Sequence, residues 1–303
     1  MNKQKVLITG VSGFIGSPLA KALAKQECEV LAISRKVSNL DAQLNLSWLE
    51  ADLNDPESYR SEIESFGPEV LIHLAWQDIP DFSFKKSLSN LDQSLGFLSF
   101  IVGLKSCKKI LVSGSCWEYN RLQGECLETD IVESNNHFTW AKMAIRLWLE
   151  MATEKNGIVL SWFRIFYVYG PGQRSEALIP KILNDFKSGK SPQIKTPKSA
   201  NDYIFIDDVV DAFILATRQK IPSGTYNLGS GEATSVLDIC RAAELVVLGS
   251  QVLTQKIETD AIASGGDINF WAGIEETKKK LNWQPKITIA RGIQNTWNYI
   301  NKL

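Results

Sequence analysis

Short β-branched runs alternate with longer amphipathic stretches through the first two-thirds of the chain. Val6–Thr9, Glu29–Ile33, Val70–His73, Ile110–Val112 and Leu160–Phe163 read as strands. Between them, apolar residues recur at helical spacing in Phe14–Lys25, Glu57–Phe66, Lys85–Lys105 and Thr139–Lys155. Strand–helix–strand repetition with apolar strands predicts an α/β fold, a doubly wound parallel sheet covered on both faces.

The rhythm changes near Tyr169-Gly170-Pro171-Gly172. A Lys/Ser/Pro-rich loop runs from Lys187 to Ser199, followed by a helical Val209–Thr217 and a strand-like Thr225–Leu228. A further helical stretch follows Ser235, and Ile274–Leu281 and Ile289–Ile300 close the chain. The expected division is a first domain over residues 1–166, to which later segments (roughly 202–228) return, and a smaller C-terminal lobe over 167–303.

Bulk properties exclude more than they assign. The 303 residues are 44% apolar and 22% charged, ordinary for a globular protein. A net charge of -1 gives no reason to expect nucleic acid or an anionic membrane as partner. No apolar run reaches the ~18 residues of a membrane helix. The apolar start breaks at Gly10 without a cleavage site, so it reads as a strand rather than a leader. Five cysteines (Cys28, Cys107, Cys116, Cys126, Cys240) without Cys-x-x-Cys spacing suggest reduced thiols and a cytoplasmic protein. With only His73 and His137 besides, no metal site is expected.

The first predicted strand runs into Gly10-Val11-Ser12-Gly13-Phe14-Ile15-Gly16 and then a helix. Glycines at this spacing allow a tight turn, let a pyrophosphate approach the backbone and let helix pack on strand. The helix N-terminus then offers free N–H groups to an anion. This is a dinucleotide-binding pattern; a glycine turn without a ligand is the plainer alternative. The second strand ends Ser34-Arg35-Lys36, with no acid before Asp41. A cation there suits the 2′-phosphate of NADP(H), where NAD(H) sites place a carboxylate. NADP(H) is therefore favoured, with NAD(H) still open.

Together with Ala51-Asp52-Leu53 and His73-Leu74-Ala75-Trp76, this run resembles the extended short-chain dehydrogenase/reductases. The closest likeness is to their nucleotide-sugar epimerase, dehydratase and 4-keto-reductase branch. Tyr203 to Val209, Tyr226 to Gly231 and Leu281 to Pro285 match later motifs, so the resemblance spans most of the chain. It implies a Rossmann domain with a substrate lobe, and a nucleotide-sugar as substrate. Asp52 and Leu53 would line the adenine, and Leu74, Ala75 and Trp76 would lie along the cofactor. Asn90 matches an asparagine of the next helix. Family members often pair through two helices matching Ser87–Lys105 and Thr139–Lys155, which implies a homodimer; the Leu, Phe, Trp and Met residues at helical spacing there equally suit packing on the sheet, and both readings stay open.

The resemblance also implies a catalytic trio. Ser115, in Val112-Ser113-Gly114-Ser115-Cys116-Trp117-Glu118-Tyr119, stands where the family has its Ser/Thr, and Lys142 stands at its lysine. The family tyrosine precedes that lysine by four residues, one helical turn. Here that position is Phe138. A benzyl ring cannot exchange a proton, and losing a positioned acid costs on the order of 10²–10⁴ in rate. Three readings stay open: Phe138 replaces a natural tyrosine, a neighbour such as His137, Cys116 or Tyr167 moves the proton, or the chain binds NADP(H) without chemistry. Two arginines that commonly grip the nucleotide-sugar diphosphate are replaced by Asn201 and Ser264. Arg174, Lys195 or Lys198 are the candidate substitutes. Cys116, Trp117, Tyr167, Arg174 and Asn201 are the expected substrate contacts, and Trp76 and Trp117 either stack on ligand or simply pack. Trp148 and Trp162 are expected in the core. The leading expectation is an NADP(H)-dependent 4-keto-sugar reductase or epimerase. The alternatives are an NADP(H) sensor or partner protein, and a reductase of a ketone without phosphate.

Overall fold

The computed structural model describes residues 3–26, 28–37, 44–119, 123–261 and 268–302. The strands of the first part are β1 (Gln4–Thr9), β2 (Cys28–Ser34), β3 (Leu46–Glu50), β4 (Val70–His73), β5 (Lys109–Ser115) and β7 (Val159–Ile165). The helices between them are α1 (Gly16–Ala24), α2 (Arg60–Phe66), α3 (Phe84–Val102) and α4 (His137–Asn156), with a short β6 (Gln123–Cys126) before α4. The remainder comprises β8 (Tyr167–Tyr169), α5 (Leu178–Lys187), β9 (Ala200–Phe205), α6 (Ile206–Arg218), β10 (Gly224–Leu228), β11 (Ala233–Ser235) and α7 (Val236–Leu248). It ends with α8 (Val252–Ala261), β12 (Asn269–Ala272), α9 (Glu275–Leu281) and α10 (Ile289–Ile300).

Seven strands form one parallel sheet in the order β10-β7-β5-β4-β1-β2-β3. Strand periodicity explains why both faces are covered. Val6, Ile8, Val30, Ala32 and Phe163 join one buried cluster, with α1 and α6. Their alternate neighbours Leu7, Leu31, Ile33, Leu71 and Trp162 join the other, with α2, α3 and α4. Successive side chains on a strand point to opposite faces, so each strand feeds two cores. The winding reverses between β1 and β4, and a crevice opens beyond the carboxyl ends of the strands at such a point.

A second sheet runs β11-β9-β12-β6, with β8 added beside β9. It draws strands from both parts of the chain, and β10 from the late part completes an edge of the main sheet. The sequence reading found six strands of the main sheet, β10 among them, but not β3, β6, β8, β9, β11, β12, α5 or α8. Most of these are short or carry mixed polarity, as in the exposed-edge pattern of β3, Leu46-Ser47-Trp48-Leu49-Glu50. The expected helix over Glu57–Phe66 divides into a 3-10 turn at Pro56–Ser58, capped by Asp55, and α2. Trp162 is core as expected, whereas Trp148 is half-buried on α4.

Candidate active site

Backbone crowding makes the glycine turn. Gly10 has φ +74°, and a Cβ there would stand 2.6 Å from the Leu74 carbonyl carbon and 2.7 Å from the Ala75 nitrogen. A Cβ on Gly16 would collide with the Gly10 carbonyl. The Gly10 carbonyl accepts from Gly13 N at 3.0 Å, and the Gly13 carbonyl from Ser17 N at 3.1 Å. Turn, helix start and the segment after β4 therefore pack backbone to backbone. Regular helix begins at Gly16, two residues later than periodicity predicts, because Phe14 and Ile15 still belong to the turn. No side chain caps α1 and no acid lies in its first turn, so its start suits an anion. The cradle fits a dinucleotide pyrophosphate.

On one side of this turn lies a pocket of about 140 Å³. Ser12 and Gly13 line it with Ser34 and Arg35 from the tip of β2, and with Leu53, Leu74, Ala75 and Trp76. Gln77 and Gln93 complete it, and neither was anticipated; their only sequence signal is proximity to the quoted His73–Trp76 segment and to α3. The exposed Arg35 donates from Nη1 to Gln77 Oε1 at 3.1 Å. Gln77 Nε2 donates to Gln93 Oε1 at 2.9 Å, and Gln93 Nε2 to Asp52 Oδ1 at 3.3 Å. Asp52 itself is exposed and is not part of the wall; Leu53 and Ala51 are. The expectation that Asp52 lines the adenine thus becomes a supporting contact through Gln93. Asn90 is buried and accepts from Gln77 N at 2.7 Å, fixing that residue's backbone. Ser34 Oγ donates to the Lys36 carbonyl at 2.9 Å. Beneath the wall, His73 Nδ1 meets Thr9 Oγ1 at 2.9 Å and burial pulls its pKa down to about 3, so the ring is neutral.

On the other side opens a cleft of about 700 Å³. Gly10, Phe14, Ile15 and Gly16 form one bank, and Ser113 to Ser115 at the end of β5 lie beneath with Phe138 and Lys142 of α4. Gly172, Gln173, Arg174 and Ala177 form the far bank. Ser115 is half-buried, and its Oγ accepts from Trp117 N at 3.2 Å. Lys142 Nζ donates to the Ser113 carbonyl at 2.8 Å and sits 4.4 Å from the Trp76 ring centre. Burial draws the Lys142 pKa down to about 8, against an upward pull from Glu118. Phe138, 8% exposed, packs among Trp76 (5.1 Å, perpendicular), Phe82 (5.0 Å) and Trp117 (6.4 Å). The position of the family tyrosine is thus an aromatic cage facing the cleft.

The suggested replacement proton donors are not brought to that cage. Cys116 is buried, and burial pushes its thiol well above the usual range. The Tyr167 hydroxyl accepts from Trp117 Nε1 at 3.0 Å, with its phenol pushed up by burial. His137 is exposed, its ring 5.4 Å from Phe84. Of the expected substrate contacts, Arg174 lines the cleft, while Cys116, Trp117, Tyr167 and Asn201 do not. Cys116 sits in a separate apolar cluster with Tyr119, Phe166 and Phe270, against which Trp117 and Tyr167 pack. Asn201 lies within β9, paired with β11 and β12. Lys195 and Lys198 are exposed and also outside the cleft wall. Ser264 lies outside the described residues.

Behind Ser115 lies an ion pair that composition could not reveal. Glu118 is fully buried and meets Arg164 Nε at 3.2 Å. It also accepts from Trp162 Nε1 at 3.0 Å and from Ser115 N at 2.8 Å. Arg164 donates to the Glu128 carbonyl at 3.1 Å and lies 4.6 Å from the Tyr119 ring centre. A side chain on Gly114 would strike Trp162 and Glu118, so β5 can pass only as glycine there. Among the described residues, no group of three or more His, Cys, Asp or Glu is placed to hold a metal ion, and no helix is long and apolar enough to cross a membrane.

A glycine cradle at the β1–β4 reversal, beside a cleft carrying serine and lysine, defines a dinucleotide-dependent enzyme of the extended short-chain dehydrogenase/reductase fold. The profile of the NAD dependent epimerase/dehydratase family matches residues 6–229, and the chain belongs to that family. It is 27% identical over 266 residues to dTDP-D-glucose 4,6-dehydratase of Dictyostelium discoideum, covering 78% of this chain and 61% of that protein. It is 26% identical over 309 residues to dTDP-4-dehydro-6-deoxyglucose reductase of Escherichia coli, covering 96% of each. In fold it is similar to UDP-glucose 4-epimerase of Thermotoga maritima, solved with UDP-glucose (TM-score 0.84, 23% identity, 99% of each chain). UDP-glucuronic acid 4-epimerase of Bacillus cereus, solved with NAD, is also similar (TM-score 0.81, 21% identity, 99% of each chain).

Proposed function

We propose that this chain is an NADP(H)-dependent reductase of a 4-keto-hexose carried on a nucleoside diphosphate. The observation that carries the reading is the shared wall of the main cleft, where Ser115 and Lys142 stand beside the glycine cradle. The dinucleotide, when bound, supplies or takes the hydride. Its pyrophosphate would lie on Gly10, Ser12, Gly13 and the Phe14–Gly16 turn, and its nicotinamide end along Trp76 toward Lys142. Ser115 would polarise the sugar carbonyl with its hydroxyl. Arg174, on the far bank, is the cation available to the diphosphate in place of the arginines replaced by Asn201 and Ser264. Relatives matching almost the full chain include a reductase and a 4-epimerase at the same 26% identity; the choice of reduction rests on Arg35, which suits the phosphorylated cofactor.

Arg35 supports the phosphorylated cofactor, because its guanidinium stands at the pocket rim with Gln77 orienting it. A charged hydrogen bond of about 1.5–3 kcal/mol corresponds to roughly 10- to 100-fold in affinity. Arg35→Ala should therefore weaken NADPH by that factor and leave NADH nearly unchanged in a fluorescence titration. Equal effects on both would remove the NADP(H) assignment. The activity test is NADPH consumption with a panel of nucleoside-diphosphate 4-keto-hexoses, run on this chain and on Phe138→Tyr. Turnover by either establishes the enzyme, and silence from both, with NADPH bound, favours a sensor. We further propose a homodimer through α3 and α4, where Phe84, Leu88, Trp140, Leu147 and Met151 are exposed. Light scattering at the monomer mass would refute it.

A further inference from the structure

We propose that Lys142 itself delivers the proton to the sugar oxygen in this chain, in the role that a phenol at position 138 would otherwise fill. The inference rests on the reductase reading above. Among the described residues, three that line the cleft carry ionisable side chains: Asp78, Lys142 and Arg174. Asp78 is held by Lys86 in an ion pair at 2.6 Å, and an ionised carboxylate has no proton to give. Arg174 donates to the Ile79 carbonyl at 3.2 Å, and a guanidinium does not release its proton in proteins. Lys142 remains.

Its surroundings are those of an acid rather than of a permanent cation. The side chain is 4% exposed. One N–H reaches the Ser113 carbonyl, and the Trp76 ring covers the ammonium at 4.4 Å. A peptide carbonyl and an indole face hold an ammonium without becoming its base, and an ammonium has three donors. The titratable groups acting on it are Glu118, which raises its pKa, and His73, which stays neutral. Burial outweighs Glu118 and brings the amine to about 8, close to the working pH where general acids are most effective. Phe138, one turn earlier, adds no competing hydroxyl and packs perpendicular to the same Trp76 ring at 5.1 Å.

The balance is simple. The carbonyl carbon gains the hydride of the reduced dinucleotide, a C–H bond forms, and the C=O π pair moves to oxygen. An O–H bond forms as one N–H bond of Lys142 breaks, and solvent returns a proton to the neutral amine afterwards.

The test combines titration with rescue. In protein labelled with ¹³C-lysine, the Lys142 signal is assigned by its loss in Lys142→Arg. It should titrate near pH 8, well below the ordinary lysine range; titration within that ordinary range overturns the proposal. Lys142→Arg keeps the charge but not the labile proton, so kcat should fall on the order of 10²–10⁴-fold. Adding Phe138→Tyr to that variant should restore at least tenfold, and kcat of the unaltered chain should decline as pH rises through 8. If Lys142→Arg reduces substrate as fast as the parent, Lys142 is not the acid. If Phe138→Tyr turns over and the unaltered chain does not, this inference falls and the reductase reading stands. If neither reduces any member of the panel, the reading falls and takes this inference with it.

Discussion

Removing the guanidinium of Arg164 isolates a negative charge in the driest part of the molecule. Glu118 is 0% exposed and Arg164 2%, so neither can turn to water. In Arg164→Met the carboxylate keeps its bonds from Trp162 and Ser115 but loses its counter-charge, and Arg164 loses its bond to the Glu128 carbonyl. Breaking a buried pair from one side typically costs about 3–5 kcal/mol, because the survivor stays desolvated. Removing both charges together, as Glu118→Gln with Arg164→Met, should cost much less, since a glutamine oxygen can still accept from Trp162 and Ser115. Urea unfolding of the two single variants and the double, compared at matched slopes, gives the coupling directly. The expected interaction is at least about 1.5 kcal/mol, within the range of residues sharing one network. An additive double, or a single-site loss below about 1 kcal/mol, would refute this account of the pair.

Gly16→Ala should abolish measurable dinucleotide binding and destabilise the fold, because the new methyl meets the Gly10 carbonyl; unaltered NADPH titration would contradict the packing described. His73 sets an acid limit on stability. Its pKa falls from 6.5 to about 3 on folding, so between those values the unfolded chain binds a proton that the folded chain refuses. Stability from this group is intact above pH 6.5 and drains at up to about 1.4 kcal/mol per pH unit as the pH drops toward 3. His73→Gln should flatten that slope by about one proton in urea midpoints measured from pH 7 to 4, and an unchanged slope would show that the histidine is not buried neutral.

Much of this architecture is legible because burial on both faces forces continuous apolar strands. Val70–His73 and Ile289–Ile300 are found to the residue, and the glycine turn announces the cradle by spacing alone. β6, β8, β11 and β12 escape because three or four residues carry no usable period, and the pairing of the second sheet is long-range: β12 joins β6 across more than a hundred positions. The same limit governs the site. Ser115, Phe138 and Lys142 are visible by motif and line one cleft, with Arg174 on its far bank. Asp52 meets Gln93, Cys116 lies in a different apolar cluster with Trp117 and Tyr167 packed against it, and Asn201 sits within β9 paired to β11 and β12. Gln77 and Gln93 carry no motif, and the Glu118–Arg164 pair joins residues 46 positions apart that look like unremarkable surface charges on paper.

Leu74 and Trp76 border both cavities, as do Gly10 and Gly13. The two chambers therefore share a partition one side chain thick and have no independent rims there. Trimming Trp76 would open both cavities at once, so under the proposed function substrate range and cofactor affinity are coupled at these positions. Under the proposed function, a change confined to the sugar side starts from residues that line the main cleft alone, such as Val168, Arg174 and Ala177.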